Sequence, residues 1–265
     1  MEWLGYVAAV FMGLSLGLIG GGGSILTVPI LVYLFKIEPI LSTAYSLFIV
    51  GTTALVGGLR YLTKKEVDLK TGLIFAVPSF LGVYLTRAVV VPALPDPVFS
   101  LGSVVVSKAS LVMAVFAVLM LAASYSMIRP SRPKAGGSAT LTSLQRAILI
   151  AFEGLVVGGV TGFVGAGGGF LIIPALVILV GLPMRIAVGT SLLIIAAKSL
   201  IGFIGDLQRQ TAMDWTLMLT IAGIAVVGLL IGAQFSKKVP ETTLKKGFGY
   251  FVLVMGVFIL LDQLL

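Results

Sequence analysis

The stretch GLSLGLIGGGGSILTVPIL at residues 13–31 decides the fold, because a related stretch, GGVTGFVGAGGGFLIIPAL, follows at residues 158–176. Aligned without a gap, 13–54 and 158–199 share a glycine spacing that ends in a proline. The matched pairs are Gly13 with Gly158, Gly17 with Gly162, Gly20 with Gly165, Gly22 with Gly167, Gly23 with Gly168 and Pro29 with Pro174. The same alignment places Ser46 on Ser191, and a shift of one residue places Asp68 on Asp214. This pattern indicates an internal duplication of one ancestral half.

Composition places both halves in a membrane. Of the 265 residues, 58% are hydrophobic and only 11% are charged, which is more apolar surface than a soluble domain can bury. The apolar runs are continuous rather than alternating, so they indicate spanning helices and not a barrel. We therefore predict an all-α integral membrane protein with about 8–10 membrane segments. The apolar runs lie at 3–20, 24–35, 40–60, 70–91, 104–128, 145–164, 169–180, 185–204, 214–235 and 246–264.

A polar linker separates the two halves. Residues 129–144 (RPSRPKAGGSATLTSL) are rich in proline, glycine and serine, which is typical of a connection between folded units. The predicted organisation is an N-terminal membrane repeat at 1–128, a cytoplasmic linker at 129–144 and a C-terminal membrane repeat at 145–265.

The charges of the polar gaps indicate how the halves are oriented. The linker and residues 60–70 are basic, whereas residues 92–103 contain Asp96 and no basic side chain. In the second half the bias is reversed, since 236–246 holds four lysines and 205–213 balances one arginine with Asp206. Basic loops stay on the cytoplasmic side. The sequence therefore predicts two repeats of inverted topology in the cytoplasmic membrane, with both termini outside.

Several classes of function are disfavoured by the residues present. The formal charge of +8 fits basic cytoplasmic loops, so nucleic-acid binding is not predicted. The sequence contains no cysteine and no histidine, so we predict neither a metal site of those ligands nor a cofactor. It also lacks the G-x-x-x-x-G-K-[ST] loop of a self-contained ATP-driven pump and any hydrolase signature, so no enzymatic activity is predicted.

The duplicated glycines predict breaks in two membrane helices. Four consecutive glycines at 20–23 and the block 165–169 are poorly suited to a helix interior. A helix that restarts near Ser24 or Phe170 exposes backbone N–H groups at its positive end, and glycine lets an anion approach them. We predict an anion site near the membrane middle that contains Gly21, Gly22, Gly23, Ser24, Gly167, Gly168 and Gly169. The alternative is that these glycines only permit close helix packing.

Polar side chains inside the apolar runs extend this predicted site. Lys198 lies deep in LLIIAAKSLIGFIG, and such a cation should face a cavity or a partner. It can attract the anion, or it can pair with Glu153, which can alternatively carry a coupling proton. Hydroxyl groups that can donate hydrogen bonds to the anion are those of Ser24, Ser46, Thr190 and Ser191. Each of them can instead cap a helix or bond a neighbouring helix.

Other charged and aromatic residues are expected at the membrane edges. Arg87 and Lys108 lie near the predicted outer ends of their helices, so their long side chains should reach the membrane surface. Trp3 and Trp215 are expected to anchor the interface. One length is left open: residues 3–20 nearly span a bilayer, whereas 24–35 make about half of one. The first glycine turn therefore reaches the midplane only if the first helix tilts or bends.

In its glycine blocks the sequence resembles the sulfite exporter TauE/SafE family of membrane transporters. The likeness rests on Gly13–Leu31 and Gly158–Leu176, each followed by a segment of small residues and serine, and it extends over the whole chain. The resemblance implies export of sulfite or a small organosulfonate, with a small anion and the lipid bilayer as partners, and it implies no catalytic or cofactor residue. An anion channel and a non-transporting structural subunit are the alternatives. The oligomeric state stays open.

Overall fold

In the computed structural model, the described residues form ten helices and one pair of short strands; these residues are 2–101, 104–129, 143–165, 167–178, 180–207, 213–235 and 241–264. The first half contains α1 (Glu2–Ile19), α2 (Gly22–Leu34), α3 (Pro39–Thr63), α4 (Leu69–Ala93) and α5 (Lys108–Ile128). The second half contains α6 (Ser143–Val164), α7 (Gly169–Ile178), α8 (Met184–Leu207), α9 (Trp215–Phe235) and α10 (Glu241–Leu264). Strands β1 (Phe99–Leu101) and β2 (Val104–Val106) pair antiparallel between α4 and α5.

The helices confirm the predicted all-α membrane fold, to which the strand pair is a small addition. In the described part of the chain, six helices are long and apolar enough to cross a membrane: α3, α4, α5, α6, α8 and α9. Shorter apolar helices lie within α1, α2 and α10. The helices after the glycine blocks begin at Gly22 and Gly169, each close to its predicted start.

Polar residues fix where several spans begin. The carboxylate of Glu38 accepts a hydrogen bond from Leu41 N (2.9 Å) and Pro39 occupies the first turn of α3, which are two common features of helix N-termini. Asp68 caps α4 through Thr71 N (3.1 Å), and Asp214 caps α9 through Leu217 N (2.9 Å). The aspartates matched in the sequence therefore perform the same task at equivalent helices.

The packing of the helices is symmetric between the halves. Helix α4 packs on α6 and, equivalently, α9 packs on α1, while α3 packs on α8 and α5 on α10. In the α3–α8 pair, Gly51 lies against Leu200 and Gly58 against Leu193, so these two matched helices run antiparallel. In the α5–α10 pair, Gly249 lies against Ile128 and Gly256 against Met120, so they are antiparallel as well.

Helices α1 and α2 form a hairpin. Gly23, at the start of α2, lies against Leu16, whereas Phe35, just beyond the end of α2, lies against Gly5 near the start of α1. Helix α2 therefore returns toward the end of the bundle at which α1 begins. The glycine turn between them lies at the far end of the hairpin, inside the protein, where residues 20–24 are buried.

Part of the charge pattern falls outside the described residues. These segments are 130–142 of the linker, 208–212 and 236–240. The predicted cytoplasmic linker, the domain boundaries and the membrane orientation therefore stay predictions.

Candidate functional site

The two glycine turns meet in the protein interior. A Cβ added at Gly21 would clash with the backbone of Gly169, and one added at Gly169 would clash with the backbone of Gly21. Close to this contact, a Cβ at Gly167 would lie 3.3 Å from Cβ of Ser24. Only glycine permits such an approach of two backbones. The structure thus brings together the two glycine blocks that the sequence places far apart.

The second turn has an unusual backbone. Gly165, Gly167 and Gly168 have φ angles of +70°, +63° and +73°, a region that L side chains rarely adopt. Helix α7 starts at the next residue, Gly169. Positive φ angles give this turn a backbone path that glycine adopts at no steric cost, and the free N–H groups at the start of the following helix suit an anion.

Lys198 lies beside this second turn. Its side chain is buried, and its Nζ donates a hydrogen bond to Thr161 Oγ1 at 2.8 Å. A Cβ added at Gly168 would lie 2.5 Å from the same nitrogen. The ammonium group is therefore held against the glycine backbone by a hydroxyl group one helix away. A buried ammonium without a neutralising anion is costly in an apolar surrounding.

Glu153 is not the ion-pair partner of Lys198. The two ion pairs within the described residues join Arg87 to Asp206 and Arg185 to Glu66. Glu153 lies in α6 and is half-buried. Its predicted role in proton coupling is not tested by this arrangement and stays a prediction.

The hydroxyl groups of the predicted site divide into two groups. Ser24 Oγ donates to Gly21 O (2.8 Å) within the first turn, and Ser46 Oγ donates to Gly165 O (2.7 Å) at the second. The Ser191 hydroxyl bonds Val188 O in its own helix (2.8 Å). Thr190 lies near the start of α4, where its Oγ1 accepts a hydrogen bond from Asp68 N (2.9 Å). This contact ties α8 to the cap of α4, two turns of α8 away from Lys198.

The expected membrane-surface position of Arg87 is wrong. Its side chain is 0% exposed, and its Nη1 lies 3.4 Å from Asp206 Oδ2. The sequence interpretation considered only how close Arg87 is to the end of its helix. It could not include Asp206, because the register of α4 against α8 is a property of the fold.

An open cleft of about 440 Å³ lies at the end of the bundle where α1, α3 and α9 begin. Its lining includes Tyr6, Phe35, Tyr45, Asp214 and Thr220. The Tyr45 hydroxyl accepts a hydrogen bond from Asp214 N at 2.6 Å. The next residue of α3, Ser46, donates a hydrogen bond to Gly165 O of the second glycine turn.

Comparison with known proteins agrees with this architecture. The family model described as Sulfite exporter TauE/SafE matches residues 6–259. The chain belongs to this family. Because the match covers nearly the whole chain, the protein is a TauE/SafE family membrane transporter.

Curated relatives of this TauE/SafE transporter align with it over nearly the whole of both chains. A probable membrane transporter protein of Xylella fastidiosa (strain 9a5c) is 28% identical over 254 residues, covering 94% of this chain and 91% of the relative. The probable membrane transporter protein YunE of Bacillus subtilis (strain 168) is 29% identical over 273 residues, covering 97% and 96%. A probable membrane transporter protein of Haemophilus influenzae is 24% identical over 257 residues. No solved structure gives a significant match.

Thr161 is the contact that sequence reasoning missed in this TauE/SafE transporter. It lies in GGVTGFVG, one turn after Gly158 and seven residues before Gly168. Its counterpart in the first half is Leu16. The sequence does contain a signal for this contact, because a polar residue in one half is aligned with an apolar residue in the other. Comparing the two halves for such polar-to-apolar differences identifies Thr161.

Proposed function

We propose that this TauE/SafE transporter is a secondary carrier that exports a small sulfur oxyanion, sulfite or an organosulfonate, across the cytoplasmic membrane. The anion binds where the two glycine turns meet, beside the backbone of Gly167–Gly169 and the ammonium of Lys198. The observation that carries the proposal is a buried cation beside a left-handed glycine turn, with a hydroxyl group and no carboxylate as its described partner.

Electrostatics supports an anionic substrate. An ammonium in a membrane interior marks a functional site by default, because its burial needs compensation. A hydrogen bond to the neutral Thr161 hydroxyl compensates only part of that loss, whereas a bound anion compensates the charge itself. The start of α7 adds favourable helix-dipole and backbone N–H interactions on the same side.

The arrangement of the halves supports alternating access. Matched helices α3 and α8 pack antiparallel, as do α5 and α10, which is what an inverted repeat requires. In such a repeat the two glycine turns approach the site from opposite membrane faces, and one half can rock against the other about a fixed site. The contact between Gly21 and Gly169, which joins one glycine turn of each half, supports a fixed site at this point.

Energetics permits export without a coupling ion. A membrane potential that is negative inside drives an anion outward with about 2.3 kcal/mol per charge per 100 mV. Glu153 is therefore not required as a proton carrier in principle. A flux that depends on membrane potential and not on a pH gradient is the expected behaviour.

The test is sulfite flux through the purified protein in liposomes, with the membrane potential clamped and methanesulfonate as competitor. We expect saturable flux for the wild type and a reduction of about tenfold or more for Lys198→Met, which corresponds to about 1.4 kcal/mol or more. The matched control is Lys108→Met at the start of α5, which should keep its flux. Thermal unfolding should be unchanged or improved in Lys198→Met, because replacing a buried charge by an apolar side chain of similar size is often neutral or stabilising.

Equal flux and an equal half-saturation concentration for Lys198→Met and Lys108→Met would contradict the assignment of Lys198 to the anion site. Unitary conductance far above carrier turnover would identify a channel instead. No flux of any sulfur oxyanion by the folded protein would remove the proposed substrate class.

A further inference from the structure

Arg87 is a second buried cation in the membrane-spanning part of the protein. It lies in a π-helical segment of α4, Thr86–Val90; such segments are rare and frequently accompany functional sites. The guanidinium contacts Asp206 only through Nη1, at 3.4 Å and 3.5 Å from the two carboxylate oxygens. The ion pair is long, and it involves only one of the three guanidinium nitrogens.

The opposite edge of the guanidinium has no hydrogen-bond partner among the described residues. Nε and Nη2 of Arg87 are buried, and neither donates a hydrogen bond to any of these residues. Buried donors left without acceptors are costly and rare in native proteins. The Nε–Nη2 edge is also the one that places two parallel N–H groups on two oxygens of a carboxylate, phosphate or sulfonate. The free edge therefore has the geometry of an oxyanion receptor.

Arg87 and Lys198 lie on one polar stripe. Helices α4 and α8 run parallel, since Gly72 lies against Thr190 and Gly205 lies against Arg87. Val83 of α4 packs on Gly202 of α8, and Arg87, one turn further along α4, pairs with Asp206, one turn further along α8. Lys198 lies one turn before Gly202 on the same face of α8. Arg87 is therefore about two turns, or about 12 Å, along the helix axis from the level of Lys198.

Two more features mark this stripe. The hydroxyl groups of Ser79 and Ser199, next to the level of Lys198, are buried and have no hydrogen-bond partner in the described part of the chain. Between the two cations, Val83 is packed tightly on Gly202. Along the stripe, polar groups therefore surround Lys198 at one end and Arg87 at the other, and the apolar side chain of Val83 lies between them.

We infer that the Nε–Nη2 edge of Arg87 is a second binding site for the same small oxyanion class, placed two helical turns from the Lys198 site. This inference rests on the proposed function and extends it. Asp206 holds Nη1 and thereby orients the free edge, and its negative charge weakens anion binding so that the ion can leave. Two sites in series, each of moderate affinity, permit passage in a way that one tight site does not.

The experiment is anaerobic titration calorimetry of the purified full-length protein with sodium sulfite, at constant ionic strength. We expect two sulfite ions per chain for the wild type and one for the double variant Arg87→Gln/Asp206→Asn, which removes both charges together. The matched control is Arg185→Gln/Glu66→Gln, which removes the exposed ion pair of the described residues and should still bind two. Monodisperse elution and the unfolding temperature verify that each variant is folded.

A third variant separates a binding site from a structural ion pair. Asp206→Asn keeps a polar side chain but removes the charge that competes with the anion, so we expect tighter sulfite binding at the Arg87 site. A structural pair predicts lower stability with unchanged or weaker binding. Two sulfite ions per chain in folded Arg87→Gln/Asp206→Asn would overturn the inference.

The two proposals fail in different ways. If Lys198→Met still binds two sulfite ions while the Arg87 double variant binds one, the Lys198 site is wrong and the Arg87 site stands. If Lys198→Met binds one and the Arg87 double variant binds two, the proposed function stands and the second site does not exist.

Discussion

The two glycine turns have matching sequences but different structures. Within residues 20–24, all described, only Gly20 has a positive φ (+89°), whereas the second turn has three such glycines. Gly23 lies against Ser15 and Leu16; its counterpart Gly168 lies against Thr161 and Lys198. The two breaks are thus similar in sequence, and each has a hydroxyl side chain beside it, but the second also has a buried lysine.

The same lesson holds for the stripe on α4 and α8. The counterpart of Lys198 in the first half is Thr53, whose hydroxyl bonds Ile49 O in its own helix (2.6 Å). The counterpart of Arg87, with the one-residue shift, is Ala233. Both buried cations therefore lie at the interface of α4 with α8, and their counterparts at the equivalent interface of α3 with α9 are uncharged.

The largest expected effect comes from separating the two turns. Gly169→Val introduces a side chain directly into the backbone of Gly21, so we expect a loss of about 3 kcal/mol or more, or failure to fold. Gly223→Val on α9 is the control, because Gly223 is exposed and nothing lies within 4 Å of an added Cβ there. Thermal unfolding in detergent and flux at matched protein amounts measure both. Similar unfolding temperatures for the two variants would show that the turns do not touch.

A smaller effect should distinguish the matched serines Ser46 and Ser191. The Ser46 hydroxyl bonds Gly165 O across the interface of the halves, whereas the Ser191 hydroxyl bonds its own helix. Ser46→Ala leaves a buried carbonyl with one bond fewer, so we expect a loss of about 1–3 kcal/mol. Ser191→Ala should change stability by about 0.5 kcal/mol or less, since such bonds within a helix contribute little. Urea unfolding measures the free energy of unfolding of both variants. Equal losses of stability would contradict the different roles assigned to the two hydroxyl groups.

Much of the scaffold could be predicted from the sequence, because it is recorded in local patterns. Glycine runs break helices wherever they occur, and Asp68 and Asp214 start helices through bonds to residues three positions later. The contact of Gly21 with Gly169 followed from the duplication together with the assumption of inverted symmetry. These features need no knowledge of how the helices are rotated.

The chemical details could not be predicted, because they depend on helix rotation and register. Lys198 donates its hydrogen bond to Thr161 and not to Glu153, because Thr161 is the residue of α6 that lies beside the second turn. Arg87 meets Asp206, 119 residues later, only because α4 and α8 run parallel with one particular offset. Thr190 contacts the cap of α4 for the same reason. Periodicity tells which residues share a face, but not which helix that face meets.

The smallest expected difference lies between the two equivalent helix caps. Asp68 accepts hydrogen bonds from Thr71 N (3.1 Å) and from Thr71 Oγ1 (2.8 Å), whereas Asp214 accepts one from Leu217 N (2.9 Å). Loss of a cap costs about 1 kcal/mol, and the extra hydroxyl bond adds about 0.5–1 kcal/mol. Asp68→Ala should therefore lower the unfolding temperature more than Asp214→Ala. The variant Thr71→Val should remove most of that difference, because position 71 then matches the apolar Leu217 of the second half. If Asp68→Ala and Asp214→Ala remain unequal in the Thr71→Val background, the asymmetry arises from the tertiary contacts of the caps, Thr190 at one and Tyr45 at the other.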